Sequence, residues 1–137
     1  MEDKKPKKRS AAYSRTKGHT AEREFAKRFK ELGFSFCKTA RLASTLTDYS
    51  RIDLWGLPFN VQIKSGYEKA RPKADQLFKE MKEELCKHFP PGDQMHKFPK
   101  ILIHKLDSRQ PEHELVTMMW SEWVELLKAY IQVNNLK

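Results

Sequence analysis

The segment RIDLWGLPFNVQIKS, residues 51–65, constrains the fold of this chain more than any other. It reads as two short strands around a turn, and Asp53, Gln62 and Lys64 stand among its apolar residues. Strand side chains alternate between faces, so Gln62 and Lys64 share one face, and a loop with an even number of residues adds Asp53 to it. Burying such groups is costly. Either they have a chemical role, or the hairpin shows a solvated face with a weak surface ion pair.

The apolar periodicities around this segment predict an α/β domain, in which a mixed central sheet is flanked by helices in the order αβββαββα. Gly33 is expected to end the first helix. The predicted elements are a helix over Thr20–Leu32, a strand in FSFCKT, a polar loop in ARLASTLTDYS, the hairpin, a helix from about Pro72 to Pro90, strands in KILIHKL and ELVTMMW, and a helix capped by Ser121 that runs to about Gln132.

The charge distribution favours a polyanionic partner. The 137 residues carry a net charge of +9, and residues 1–17 contain seven basic and two acidic residues, a net +5. We expect a disordered basic arm over 1–17 and a single domain over 18–137. Nucleic acid is the simplest partner, and a solubilising tail is the alternative. The cations expected to contact DNA are Lys4, Lys5, Lys7, Lys8, Arg9, Arg15 and Lys17 in the arm and Arg23, Arg41, Lys69 and Arg71 in the domain; the last two are equally typical of an ordinary basic turn.

Other features narrow the class of protein. Cys37 and Cys86 form no CxxC pattern, which indicates a reducing compartment. No apolar run approaches the roughly 20 residues of a membrane span. We therefore expect a cytoplasmic protein that contacts no membrane, or one in the host cytoplasm if a virus or mobile element encodes it. Trp55, Trp120 and Trp123 are expected in the core or in a dimer contact rather than as base-stacking platforms.

A fourth polar residue joins the three in the hairpin. On an ideal helix, Glu22 falls on the border of the apolar stripe that contains Phe25 and Phe29. If this helix packs on the sheet, Glu22 reaches the polar end of the hairpin. Two carboxylates and an amide oxygen suit a hard cation such as Mg²⁺ or Mn²⁺, and a nearby lysine suits phosphodiester hydrolysis.

Together these residues resemble the PD-(D/E)xK nuclease superfamily, and they are most similar to the archaeal-type Holliday-junction resolvases. The run KGHTAEREFAKRFKELGFSFCKTARLAS resembles the opening of those proteins, with a KG pair, an ER pair on the first helix, and a GF before a strand. IDLWG and VQIKS continue the likeness, which covers roughly residues 17–66. The resemblance implies a restriction-endonuclease-like core.

Carried across by position, the resemblance assigns a role to each polar residue. Glu22 matches the helix glutamate that helps to hold metal, and Asp53 matches the main metal ligand. Gln62 takes the (D/E) position, and Lys64 is the catalytic lysine. The backbone carbonyl of Ile63 is a further metal ligand.

The likeness extends to the polar loop before the hairpin, and the sequence departs from the family motif at two positions. Ser44 lies in the loop where the resolvases carry a mobile serine near the cut strand. Ile52 replaces the proline of the motif, which affects backbone shape rather than chemistry. The neutral Gln62 replaces an acid, as in the Mrr-type branch of the superfamily, and should weaken metal affinity.

The resemblance implies a Mg²⁺- or Mn²⁺-dependent DNA endonuclease that resolves four-way junctions as a homodimer with two sites. It would read the shape of the junction and its backbone rather than bases. One alternative is an Mrr-like restriction or repair nuclease. The other is an inactive nuclease fold that serves as a DNA-binding or assembly protein.

Overall fold

The computed structural model describes residues 11–66, 72–105 and 110–136. The helices are α1 (Ala11–Glu31), α2 (Ala40–Ala43), α3 (Thr45–Tyr49), α4 (Ala74–His88) and α5 (Trp120–Asn134). The strands are β1 (Lys38–Thr39), β2 (Leu54–Trp55), β3 (Asn60–Ser65), β4 (Lys100–Lys105) and β5 (Leu115–Met118). The predicted α/β class and mixed sheet are confirmed, because β4 pairs with β3 in parallel and with β5 in antiparallel orientation. None of these helices combines the length and apolarity needed to cross a bilayer.

The sheet leaves one edge of β3 open. The strand order is β3-β4-β5, while β1 and β2 form a separate two-stranded sheet. The backbone N–H groups of even-numbered residues at the two ends of β3 point toward β4. The Asn60 N–H donates to the Pro99 carbonyl over 2.8 Å, and the Gly66 N–H donates to the Lys105 carbonyl over 3.0 Å. In a parallel pair the N–H and C=O of a residue point to the same side, so those of Val61 and Ile63 face the open edge.

Two apolar clusters hold the chain around that edge. In the first, Ala21 and Phe25 of α1 pack with Val61 and Ile63 of β3 and with Leu54. In the second, Ile52 packs with Met81 and Leu85 of α4. Ile52 and Leu54 are each only 1% exposed. Because its two neighbours are buried in different clusters, the backbone of Asp53 is fixed beside β3.

The first helix starts earlier than predicted. It begins at Ala11 rather than Thr20, so residues 11–17 are helical and the predicted disordered arm is wrong for them. Ala11 and Ala12 are the best helix formers, and Gly18 costs only about 1 kcal/mol in a helix interior. The helix ends at Glu31, close to the predicted stop, and Gly33 follows with a φ of +111° in the left-handed region. Residues 1–10 lie outside the described residues.

The predicted hairpin is wrong in its pairing. β2 pairs with β1 rather than with β3, with Thr39 opposite Leu54 and Lys38 opposite Trp55. A single backbone bond, from the Asp53 N–H to the Val61 carbonyl over 2.8 Å, joins the two predicted hairpin arms. The turn between them is tight at Gly56, whose φ is +88° and where an added Cβ would lie 2.7 Å from the Phe36 carbonyl oxygen. Both requirements favour glycine.

Two further predictions of local structure are wrong. The polar loop over residues 40–50 contains α2 and α3, and Ser44 caps α3 by accepting hydrogen bonds from Thr47 N at 3.3 Å and Thr47 Oγ1 at 2.9 Å. Such short helices span too few residues to show an apolar period. Ser121 is not a cap, because α5 begins at Trp120 with Met119 in the N-cap position. The strands and α4 lie within or close to their predicted segments.

Candidate functional site

Asp53 stands at the open edge of β3. Its Oδ2 accepts a hydrogen bond of 2.7 Å from the Ile63 N–H, one of the backbone donors that the sheet leaves unpaired. Together with the Asp53 N–H to Val61 bond, this clamps Asp53 onto β3 in place of a second ladder strand. The sequence correctly predicts that Asp53 meets β3, but the contact is to the strand edge rather than across a hairpin face.

The carboxyl of Asp53 is in an unusual electrostatic environment. Burial raises its pKa to about 7, against the 3.8 of an ordinary aspartate. The hydrogen bond from Ile63 lowers that pKa, and the nearby charge of Lys64 lowers it too. The carboxylates of Glu22 and Asp48 raise it. A cation beside Asp53 would offset both the burial and the acidic neighbours.

Glu22 lies where the helical periodicity predicts, at the border of the buried stripe of α1. Its side chain is 16% exposed, and the Nε atom of Arg41 lies 3.9 Å from its Oε2. Burial raises the pKa of Glu22, whereas the charge of Arg41 lowers it. Arg41 was predicted to contact DNA, and here it faces a proposed metal ligand, so a cation at the site would compete with it for Glu22.

Gln62 supplies a buried oxygen with no partner. The residue is 6% exposed, and its Oε1 accepts no hydrogen bond within the described part of the chain. An unsatisfied buried oxygen costs about 1–3 kcal/mol, so such atoms usually have a partner. Gln62 also sits between Val61 and Ile63, whose backbones meet Asp53, and the Ile63 carbonyl points to the same open edge. This all-oxygen set of amide, carbonyl and carboxylates fits Mg²⁺ or Mn²⁺ in donor chemistry.

Lys64 completes the predicted constellation. It lies two residues after Gln62 on β3 and opposite His104 of β4 in the sheet register. The side chain is half-buried, and it is near enough to Asp53 to affect the pKa of that carboxyl. Its neighbour His104 is 5% exposed and places Nε2 2.9 Å from the Gly66 carbonyl oxygen. This contact anchors the C-terminal end of β3, where Lys64 is mounted.

Ser44 and Asp48 differ from the sequence-based expectation. The Ser44 hydroxyl is engaged with Thr47 in the cap of α3, and no described contact joins it to Asp53 or Lys64. Asp48 was missed because α3 was predicted as loop. Its charge reaches both Asp53 and Glu22 and raises their pKa values. The cap signal at Ser44, with Asp48 four residues later, is what could have revealed the helix that positions it.

The predicted ligand set contains two carboxylates rather than a cluster of acids. Within residues 11–66, 72–105 and 110–136, no three or more His, Cys, Asp or Glu side chains are grouped so that they could hold a metal ion. The predicted ligand set uses an amide and a backbone carbonyl in addition to Glu22 and Asp53. Any metal bound there would therefore be held by fewer charges than in an all-acid site, which weakens affinity.

A basic groove runs alongside α1 next to Glu22. It has a volume of about 310 Å³, and four exposed cations line it: Arg23, Lys27, Lys30 and Lys38. These cations form no ion pair with a described carboxylate. The Thr39 hydroxyl oxygen, also at the groove, is buried and has no hydrogen-bond partner among the described residues. Such a surface suits the phosphates of a nucleic-acid backbone.

Only Arg23 of this groove was predicted to bind DNA. Lys27 and Lys30 follow it at four and seven residues, a spacing that places all three on one side of α1 and could have revealed the stripe. Lys17 lies on α1 and is half-exposed. The other predicted DNA contacts lie outside the described residues or, for Arg15, outside the described side chains: Lys4, Lys5, Lys7, Lys8, Arg9, Arg15, Lys69 and Arg71.

Comparisons of the chain with models of protein families, with curated proteins and with solved structures find no match. The assignment of a function therefore depends on the residues and geometry described above.

Proposed function

We propose that this protein is a metal-dependent DNA endonuclease of the PD-(D/E)xK type that acts on branched DNA, most simply as a Holliday-junction resolvase. The proposal takes the α/β domain with its mixed sheet to be a restriction-endonuclease-like core. It assigns the protein to the cytoplasm, or to the host cytoplasm for a viral protein. Cys37 and Cys86, which are both free thiols, suit such a reducing compartment.

The observation that carries the proposal is the convergence at the open edge of β3. Asp53 is tied to the backbone of that edge, Glu22 and Lys64 lie close enough to affect its pKa, and the side-chain oxygen of Gln62 on the same strand is buried without a partner among the described residues. In a purely structural role the Gln62 oxygen stays buried without a partner, and the burial of the Asp53 carboxyl stays uncompensated. A bound cation would supply a partner for the oxygen and an offsetting charge for the carboxyl.

In this proposal Glu22, Asp53, Gln62 and the Ile63 carbonyl would hold Mg²⁺ or Mn²⁺. Such a metal, when bound, makes a water more acidic and stabilises negative charge on a phosphate. The Ile63 N–H fixes the orientation of Asp53, and the buried side chains of Ile52 and Leu54 fix its backbone. Lys64 supplies a positive charge beside the scissile phosphate, where charge grows as the phosphodiester is hydrolysed.

The basic groove supports a nucleic-acid substrate. Its cations lie on the same helix as Glu22 and on β1, whose neighbour Ala40 donates a hydrogen bond of 2.8 Å to the Asp53 carbonyl. A backbone lying in the groove would thus pass close to the proposed metal. No base-reading element is needed, because phosphate contacts position DNA while junction shape provides selectivity.

The test is a cleavage assay on a four-way junction, a flap and a linear duplex of the same sequence, each with Mg²⁺, Mn²⁺ or EDTA. We expect cutting of the junction in either metal and none in EDTA. Asp53→Asn and Lys64→Ala should each abolish cutting and retain binding. The matched controls are Asp75→Asn and Lys79→Ala on α4, where both side chains are exposed, and these should cut like the wild type.

The alternatives predict different results in the same assay. An Mrr-like nuclease cuts the linear duplex at least as fast as the junction. An inactive fold binds DNA but cuts no substrate in any metal, an outcome favoured by the Arg41 contact with Glu22 and the neutral Gln62. Wild-type cutting by Asp53→Asn would contradict the site itself.

A further inference from the structure

The C-terminal helix α5 is the least buried large element of the described chain. None of its fifteen residues is buried. Its described polar anchor is Glu122, which accepts a hydrogen bond of 2.8 Å from the Lys100 N–H and pairs with Lys100 Nζ at 3.5 Å. An isolated helix of about 12–15 residues is marginal in water, because helices gain most stability from packing an apolar face. Because α5 is so little buried within one chain, a second surface packed on its apolar residues would stabilise it.

The helix carries two apolar stripes. One stripe, Val124, Leu127 and Ile131, is half-buried. The other consists of Trp123, Leu126, Tyr130 and Val133, which recur at spacings of three, four and three residues. These spacings are those of a helix-pairing seam. On an ideal helix the second stripe lies about 110° around from the first, so a surface that contacts the first stripe leaves the centre of the second uncovered.

The second stripe is exposed at three of its four residues, and Leu126 is half-buried. Trp123 is 43% exposed, Tyr130 60% and Val133 83%. Trp120, which is 75% exposed, lies three residues before Trp123 and on the helix side of the first stripe. With Met119 and Trp120 at the start of the helix, the three exposed residues of the stripe form an apolar patch of five large exposed side chains. A specific interface needs about 600 Å² or more from each partner. Exposed aromatic clusters of this kind are also typical of interface centres.

The chemistry of the stripe selects the partner. It carries no charged side chain, so two copies can meet without repulsion despite the net charge of +9. The same lack of cations makes it a poor surface for DNA, whose phosphates are met by the groove beside α1. A symmetric pair also provides the two sites that a junction with two strands to cut requires.

We propose that the stripe Trp123–Leu126–Tyr130–Val133 of α5 is the dimerisation surface, and that its partner is the same stripe of a second copy of this chain. The choice of a second copy over another protein rests on the proposed function, since cutting two strands needs two sites. The interface is isologous, with α5 packed on α5 about a two-fold axis.

The test measures the mass of the full chain by sedimentation over a range of concentrations, without DNA or metal. We expect a monomer–dimer equilibrium in the wild type. The double variant Tyr130→Arg/Val133→Glu should raise the dissociation constant by about 100-fold or more. The control Ala129→Arg/Gln132→Glu places the same charges at exposed positions on the polar side of α5 and should leave the constant within a factor of about three. Circular dichroism verifies that both variants are folded.

Cross-linking gives a second, independent measurement. In a Cys86→Ser background, Tyr130→Cys should be joined between chains by a short bismaleimide, and Gln132→Cys should not. A wild type that stays monomeric, a dimer that survives Tyr130→Arg/Val133→Glu, or equal cross-linking at both positions would each overturn the proposal. Neither measurement uses DNA or metal, so a failure to dimerise is distinguishable from a failure to cut DNA. A protein that dimerises through this stripe but cuts no DNA would contradict the proposed nuclease activity and leave the dimer surface supported.

Discussion

Asp53→Asn should stabilise the metal-free protein, and increasingly so as the pH rises from about 4 to 7. The pKa of Asp53 is raised from 3.8 to about 7 in the folded protein, mainly by burial. The folded state therefore binds a proton more tightly than the unfolded state. As pH rises from about 4 to 7, the unfolded chain ionises before the folded one, so this carboxyl lowers the free energy of unfolding over that range. Above about pH 7 the loss is complete and stays constant.

The magnitude follows from the two pKa values. At about 1.4 kcal/mol for each tenfold change in proton affinity, the difference between 3.8 and about 7 corresponds to at most about 4 kcal/mol. Asparagine cannot ionise, and its side-chain oxygen can still accept the Ile63 N–H. We expect Asp53→Asn to match the wild type near pH 4 and to exceed it by about 2–4 kcal/mol at pH 8.

The assay is urea unfolding followed by circular dichroism at pH 4, 5, 6, 7 and 8 in EDTA. The quantity of interest is the difference between variant and wild type at each pH, which cancels the other titrating groups. Asp75→Asn, which changes an exposed carboxylate in the first turn of α4, is the matched control, and its difference should stay within about 1 kcal/mol at every pH. A difference for Asp53→Asn that does not grow with pH would refute the desolvated environment argued for this carboxyl.

Three other changes test separate parts of the account. Deleting residues 1–10, which lie before α1, should weaken DNA binding and flatten its salt dependence, as titrations across a salt series would reveal; an unchanged slope would mean that the arm does not touch DNA. Gln62→Glu should tighten Ca²⁺ binding measured by calorimetry, because it adds a charge at the buried oxygen, and equal or weaker binding would place Gln62 away from the metal. Gly56→Ala should lower the free energy of unfolding by about 2–4 kcal/mol. The control Gly66→Ala has a similar φ but nothing within 4 Å of the added Cβ, so it should lower the free energy of unfolding by less. Equal losses in the two variants would show that the close approach of Gly56 to the Phe36 carbonyl does not destabilise Gly56→Ala.

Much of the site could be predicted because it depends on local periodicity. The 3.6-residue period of α1 places Glu22 at the border of its buried stripe, and strand alternation places Gln62 and Lys64 two residues apart on one side of β3. The pairing of Asp53 could not be predicted in detail. Whether β2 joins β3 or β1 depends on contacts with residues near Lys38, which no pattern within residues 51–65 contains.

The features that were missed have physical reasons of their own. Helix α3, which brings Asp48 to the site, is five residues long and is defined by its Ser44 cap rather than by an apolar period. The groove of Lys27, Lys30 and Lys38 joins a helix to a strand that is distant in sequence, so its cations resemble a solvated helix face when read alone. The exposure of α5 depends on how much of its apolar surface the rest of the chain contacts, and the sequence pattern of the helix does not determine those contacts.

The central claim is that the open edge of β3 binds a divalent cation through Asp53. The most direct measurement is a calorimetric titration of the wild type and Asp53→Asn with Ca²⁺ at pH 8, where the wild-type carboxyl is ionised, followed by the same titration at pH 6. We expect one Ca²⁺ per wild-type chain at pH 8, weaker binding at pH 6 as the proton competes, and no binding to Asp53→Asn. Equal Ca²⁺ affinity for the two proteins, or none for the wild type at pH 8, would contradict it.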